Sequence, residues 1–193
     1  MVDDVDDPFR TTPLAENALA GQDLSLLTAD EARALRAYAY NHFEQINSAL
    51  WGDEATMTAL VIRNIALIRS GLAKFPVPEP VRVTREALAE SFGLRGVPEE
   101  EDDAQDLVEQ QFLHRGFMST SGSEYPPRSI RRRPGVIVDL IVPTGTPALR
   151  LGRLAPIKAE REVLLIDARR TSQVVSNDHA RSMWRIQGFV REA

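Results

Sequence analysis

The chain has 193 residues, a hydrophobic fraction of 43%, a charged fraction of 26% and a net charge of −5. That length suits one domain with a proper core, the acidic balance argues against a general nucleic-acid binder, and no apolar run reaches the ~20 residues that span a bilayer. Cysteine is absent, which removes disulfides, thiolate metal sites and a cysteine nucleophile while leaving the compartment open.

Residues 1–27 mix Asp, Pro, Thr and Gly with few periodic apolar positions, and read as a polar, acidic N-terminal arm or linker. The start, Met1-Val2-Asp3-Asp4, is acidic where a secretory leader is basic and then apolar, so no export signal of that kind is expected. Thr28-Ala29-Asp30-Glu31 has the form of a capping box. It opens a helix carried by Leu35, Ala39, Phe43, Ile46 and Leu50, with Gly52 as the stop. Asp53 is placed to cap a second helix whose core face is Met57, Leu60, Val61, Ile65, Ile68 and Leu72. Pro76, Pro78 and Pro80 end that helix in a stiff connector. Residues 81–85 alternate as a strand, and an acidic loop over 93–103 leads into a short helix predicted over 104–112.

The character then changes to β. Strands are predicted over 117–121, 136–142, 163–167, 173–176 and 183–190, the second closed by the turn Pro143-Thr144-Gly145-Thr146. Helices first and strands after them make an α+β domain with a largely antiparallel sheet.

Two groups of side chains carry possible chemistry. Glu160 and Glu162 lie at i and i+2 of an extended run, so both carboxylates project from one strand face. Such a pair serves acid–base work or is simply two solvated acids at a strand edge. Arg128, Arg131, Arg132 and Arg133, with Tyr125 nearby, either seat a diphosphate and a flat base or form a solvated basic loop. The three histidines, His42, His114 and His179, are far apart in sequence, none in an H-E-x-x-H arrangement. Each reads as a surface or supporting residue. There is no Gly-rich P-loop, no G-x-G-x-x-G after a strand and no G-x-S-x-G elbow. Nearly all the positive charge is arginine, Lys74 and Lys158 being the only lysines. A GC-rich coding sequence accounts for that bias, and avoidance of lysine in a foreign cytosol is the alternative.

Three stretches in order, Val83-Thr84-Arg85, Gly116-Phe117-Met118-Ser119-Thr120-Ser121 and Glu160-Arg161-Glu162, resemble the mono-ADP-ribosyltransferase toxins and exoenzymes whose pattern is Arg, S-T-S, E-x-E. Tyr38, Ile46, Asn47 and Leu50 resemble that family's helix reading Y, then I-N-x-x-L. Residues 137–146 are similar to its strand ending in P-x-G-T, and Glu162-Val163-Leu164-Leu165 to its E-V-L-L. The likeness runs from about Leu27 to the C-terminus, which divides the chain into an arm, 1–27, and a catalytic domain, 28–193.

The resemblance implies N-terminal helices followed by a two-sheet, largely antiparallel β-sandwich enclosing an NAD cleft. It implies a mono-ADP-ribosyltransferase that moves ADP-ribose from NAD to an arginine side chain of a target protein, as a bacterial or phage effector. An NAD glycohydrolase, or an inactive binding module of the same fold, is the alternative. On this reading Glu162 accepts a hydrogen bond from the ribose and steadies an oxocarbenium-like transition state, as carboxylates do in glycoside hydrolysis. Glu160 orients the acceptor, its identity as Glu favouring arginine. Arg85 holds the diphosphate, and Ser119 positions Glu162, with Thr120 and Ser121 supporting the strand. Tyr38 and Asn47 line the adenosine side, Glu86, Gly116, Phe117, Tyr125 and Arg128 complete the NAD contacts, and residues 152–159 form the acceptor loop. Arg82 is the alternative to Arg85; Thr84 stands where an aromatic residue is frequent, and Glu86 where Gly or a basic residue is. The implied partners are NAD, an arginine-bearing acceptor protein and an immunity or delivery protein, with no metal, nucleic acid or membrane, and the implied place of action is a target cell's cytoplasm.

Overall fold

A computed structural model describes residues 7–88, 110–127, 135–157, 161–180 and 183–192. The sequence expectations over 93–103 and 104–109, together with Arg128, Arg131, Arg132, Arg133, Lys158 and Glu160, lie outside these residues.

The described part of the N-terminal segment is built into the domain. Helix α1 (Pro8–Thr11) starts at Asp7, whose carboxylate accepts from the Phe9 amide at 2.9 Å. Phe9 is buried against Phe189, with ring centroids 5.5 Å apart. Helix α2 (Ala15–Ala18) is followed by Leu19, and both Ala15 and Leu19 are buried in the core beside Val83 and Met118. Arg82 N–H donates to the Pro13 carbonyl at 2.8 Å, so this segment runs along the edge of the strand that carries Arg85.

Helix α3 (Ala29–Ala37) begins with the capping box expected from Thr28 and Glu31. It passes through one π-helical turn, Tyr38–His42, into helix α4 (Phe43–Leu50). A π turn holds more residues than an α turn and so shifts the phase of the buried stripe. Leu35, Tyr38, Ile46 and Ala49 are accordingly buried, whereas Phe43, expected inside, is 44% exposed. Asp53 caps a 3₁₀ turn, Glu54–Thr56, and not the next helix. The start of α5 (Ala59–Ala73) is set by Thr58, whose Oγ1 accepts from the Val61 amide at 3.3 Å. That later start leaves Met57 and Leu60 exposed, and Val61, Ile65, Ile68 and Leu72 form the buried face. Each such aliphatic side chain contributes roughly 1.5–3 kcal/mol of burial.

Eight strands follow: β1 (Val81–Leu88), β2 (Gln111–His114), β3 (Met118–Ser121), β4 (Gly135–Val142), β5 (Ala148–Arg150), β6 (Glu162–Leu165), β7 (Arg169–Ala180) and β8 (Met183–Glu192). Their order is β2-β7-β8-β4-β1-β3-β6-β5, and every pairing is antiparallel except β4 with β8. The expected halves are joined into one hydrogen-bonded sheet, because β1 pairs along its whole length with β4 and through Thr84↔Ser121 with β3. Gln111 and Phe112, placed in a helix by their sequence, belong to β2, where Phe112 lies opposite Thr171 of β7. Strand β5 is also additional to the sequence reading.

Alternate residues of β6 enter different cores. Val163 and Leu165 pack with Val81, Val83 and Met118, whereas Leu164 packs with Leu35, Ile46 and Phe117 on the helical side. Period-two alternation therefore places Glu162 on the helical face with Leu164.

Candidate active site

Strands β3 and β6 are in register with Ser121 opposite Glu162 and Ser119 opposite Leu164. Ser119 is exposed, Glu162 is buried, and Ser119 Oγ donates to Glu162 Oε1 at 2.6 Å. Thr120 points the other way and donates to the Val163 carbonyl at 2.7 Å, locking the two strands together. Ser121 Oγ lies 2.8 Å from Ser123 Oγ, which in turn donates to the Tyr125 carbonyl at 2.8 Å, so the chain after S-T-S is folded tightly back.

Arg85 lines a cavity of about 570 Å³. The residue as a whole is partly covered, but its Nε has no contact with water and no hydrogen-bond partner. Burial pulls the guanidinium below its ordinary range, with Tyr38 acting in the opposite sense. A desolvated cation facing a cavity is a site for an anion, because an incoming phosphate supplies the missing acceptors. Arg82 is different. It is tied to the buried Asp139, with Nη1 to Oδ2 at 3.3 Å, and Arg185 reaches the same Oδ2 at 2.9 Å. Burial pushes the Asp139 carboxyl up while Arg185 and Arg82 pull it back. Arg85, not Arg82, is therefore the arginine available to a ligand in the cavity.

Asn47 and Glu86 line the same cavity, as do Gly116 and Phe117. Asn47 Oδ1 accepts from the Phe117 amide at 3.0 Å, and its Nδ2 donates to Tyr38 Oη at 3.0 Å. Gly116 permits this close approach, since a Cβ there would lie 2.6 Å from Asn47 Oδ1. Tyr38 is absent from the lining. It is 1% exposed, its hydroxyl donates to the Phe117 carbonyl at 3.3 Å, and burial pushes its pKa up. Its place is beneath the strand, where it sets Phe117 and the approach to Ser119. Tyr125 is half-buried, with the Arg185 guanidinium 5.3 Å from its ring centroid. Arg185 also donates to the Glu124 carbonyl at 2.7 Å, which anchors this loop to β8.

Glu162 and Ser119 are not among the residues lining the larger cavity. Glu162 lines a separate recess of about 130 Å³ with Arg150, Gly152, Ala155, Ile157 and Arg161. The larger cavity is lined by Phe117, two positions along the chain from Ser119, which bonds the Glu162 of the recess.

Two further lining residues, His114, read from the sequence as a surface or supporting residue, and Trp51, bear on the chemistry of the cavity. His114, at the end of β2, lies in the cavity with its Nε2 3.4 Å from Thr171 Oγ1. Burial, and then the charge of Arg85, lower its pKa to about 4, so it is neutral at pH 7. Trp51, just past α4, lines the cavity while 54% exposed. The sequence signal for Trp51 is an aromatic residue off the apolar stripe of its helix. For His114 it is the alternation Phe112, His114, which a helical reading hides. Among the described residues no group of three or more His, Cys, Asp or Glu side chains is placed to hold a metal ion, and no helix is long and apolar enough to cross a membrane.

This arrangement, a serine-braced carboxylate at the start of a strand and a cavity lined by a partly covered arginine, lies on a fold found among solved bacterial enzymes. Plx2a, an ADP-ribosyltransferase toxin from Paenibacillus larvae, is 21% identical, with 87% of this chain and 89% of that chain covered and a TM-score of 0.73. The C3 exoenzyme of Clostridium limosum is 19% identical over 92% and 91% of the two chains, with a TM-score of 0.75. C3stau2 from S. aureus, solved with NAD, is 17% identical over 94% and 97%, with a TM-score of 0.74. At these identities the likeness is one of fold. No curated protein sequence gives a significant match. The family model described as ADP-ribosyltransferase exoenzyme matches residues 16–179, and the chain belongs to that family. It is an ADP-ribosyltransferase by family and fold, and enzymes of this kind use NAD as substrate.

Proposed function

We propose that the protein transfers ADP-ribose from NAD to an arginine side chain of a target protein. The glycosidic bond between nicotinamide and ribose breaks, a bond from ribose C1 to the acceptor guanidine nitrogen forms, and nicotinamide and a proton leave. The observation that carries the reading is the 2.6 Å hydrogen bond from Ser119 Oγ to Glu162 Oε1. It holds a buried carboxylate in one orientation, as an electrostatic stabiliser of a developing oxocarbenium ion requires. Arg85 receives the diphosphate, its desolvated Nε being a donor without a partner. Asn47, Glu86, Gly116 and Phe117 shape the nucleotide side of the cavity.

For the acceptor we assign Glu160, beside Glu162 in sequence, to orient an incoming guanidinium and relieve it of a proton. Arg128 and Tyr125 belong, on this reading, to the loop that contacts the phosphates and nicotinamide of NAD. The protein acts as a toxin or effector inside a target cell, on an acceptor recognised through residues 152–159, with an immunity or delivery protein as a further partner.

Incubation with NAD labelled in the adenylate half and a cell lysate tests the proposal. Label enters protein with wild type and not with Glu162→Gln, and mapping finds it on arginine. Equal behaviour of the two proteins, with no labelled band, would overturn it. Glu160→Gln separates transfer from hydrolysis: protein labelling is lost while nicotinamide release persists.

A further inference from the structure

Glu16, Gly122 and Arg161 come from three separate parts of the chain, and each is bonded to the other two. Glu16 N–H donates to the Gly122 carbonyl at 3.1 Å, and Gly122 N–H donates to the Arg161 carbonyl at 2.9 Å. The circuit closes where Arg161 Nη1 pairs with Glu16 Oε2. Gly122 is needed at its position, because a Cβ there would stand 2.6 Å from the Glu16 backbone nitrogen.

Two features connect this circuit to the site. Arg161 has φ 49°, the left-handed region that a side chain other than glycine adopts only at a cost, and it immediately precedes Glu162. Such a conformation persists where the surroundings over-determine it, and here they do so through one backbone bond and one ion pair. Arg161 also lines the recess that Glu162 lines. A guanidinium released there is one residue along the chain from the buried carboxylate and is a competitor for it, in a recess that Arg150 also lines. Glu16 holds that guanidinium: its side chain is 16% exposed, against 51% for Arg161.

We propose that Glu16 is a positioning residue. Its carboxylate fixes the left-handed turn at Arg161 and keeps the Arg161 charge off Glu162, so that Glu162 stays aligned with Ser119. The inference rests on Glu162 being the carboxylate of ribosyl transfer. It makes helix α2, in the segment whose sequence reads as an arm, part of the catalytic apparatus.

Glu16→Gln removes the charge and keeps the size. In the full chain kcat for nicotinamide release falls about tenfold, while KM for NAD stays within about twofold. Hydrogen exchange at the Gly122 amide rises about tenfold as the circuit loosens. Adding Arg161→Gly, a residue that takes φ 49° without strain and has no guanidinium, returns kcat to within about threefold of wild type. Wild-type turnover and unchanged Gly122 exchange in Glu16→Gln would overturn the proposal, as would a loss that Arg161→Gly fails to relieve. If the wild-type chain released no nicotinamide, the transferase reading would fall, and the Gly122 exchange would still decide whether the latch exists.

Discussion

Ser119 and Glu162 meet diagonally across β3 and β6: the register partner of Glu162 is Ser121, and Ser119 reaches it from two positions away, Oγ to Oε1 at 2.6 Å. Diagonal neighbours lie within reach of a long side chain, so Glu162 is drawn along the strand pair toward the end nearer Phe117 and the cavity. Ser119→Ala keeps the carboxylate and loses its brace. We expect kcat to fall roughly 10–100-fold, and Glu162→Gln to cost on the order of 10²–10³-fold or more, the scale of a removed electrostatic stabiliser. Single-turnover nicotinamide release measures both. Equal losses would show that Ser119 takes part in the chemistry itself and does not merely aim Glu162.

Arg85 shows the tension between stability and binding. Its guanidinium is desolvated with Nε unmatched, so the empty protein carries a cost that a bound diphosphate removes. Arg85→Met is therefore expected to raise Tm without NAD by a few degrees, about 2–4 °C for ~1 kcal/mol in a chain of this size. KM for NAD rises at least about tenfold in the same variant. Saturating NAD stabilises wild type and leaves Arg85→Met nearly unmoved. A variant with lower Tm in both conditions would mean that the guanidinium is satisfied in the free protein.

Some local rules carried over from sequence to structure, but the extended run expected to put Glu160 and Glu162 on one face is interrupted, since β6 begins at Glu162 and Arg161 before it has φ 49°. Alternation puts Ser119 with Ser121 and Glu162 with Leu164, and the pairing of β3 with β6 brings the two pairs onto one face. What escaped depends on contacts between distant segments. Gln111 and Phe112 lie in a strand only because β7 is there to pair with them, a tertiary effect that overrides local preference. Asp53 and Thr58 are both competent caps, and sequence gives no means of choosing between them. The π turn at Tyr38–His42 is likewise set by what lies beneath it, since Tyr38 must reach the Phe117 carbonyl. The packing of Ala15 and Leu19 had no periodic signal because α2 is a single turn.

His114 supplies a pH dependence. Its pKa is lowered to about 4 from an ordinary 6.5, first by burial and then by Arg85. The folded protein thus holds the ring neutral while the unfolded chain takes up a proton as the pH drops below about 6.5. The contribution to stability is complete above that value, declines as the pH falls toward 4, and is constant below it. Its upper bound is ~3 kcal/mol, from 1.36 kcal/mol per unit. Urea unfolding of wild type and His114→Asn across this window checks it: the wild-type curve falls relative to the variant between pH 6.5 and 4. Parallel curves would place the ring in contact with water.

Glu31 acts in a lower window and with the opposite charge. It is 3% exposed and accepts from Lys74 Nζ at 2.6 Å, Ser70 Oγ at 2.7 Å and the Thr28 amide at 2.7 Å. Burial pushes its carboxyl up, but the bonds from Lys74, Ser70 and Thr28 outweigh burial and bring it down to about 2. A carboxyl held below its ordinary 4.5 stabilises the fold fully above that value, and the contribution is lost as the pH falls through about 2. Glu31→Gln leaves the Lys74 ammonium without its counter-charge and should cost ~3 kcal/mol at pH 6. The difference from wild type should shrink steadily below pH 4.5 and be small near pH 2, where the Glu31 carboxyl is about half protonated. Because the His114 effect is over by pH 4, a double variant separates the two by window. A Glu31→Gln penalty that stayed constant from pH 6 to pH 2 would mean that this side chain holds α3 to α5 by shape and neutral hydrogen bonds, with its charge contributing nothing.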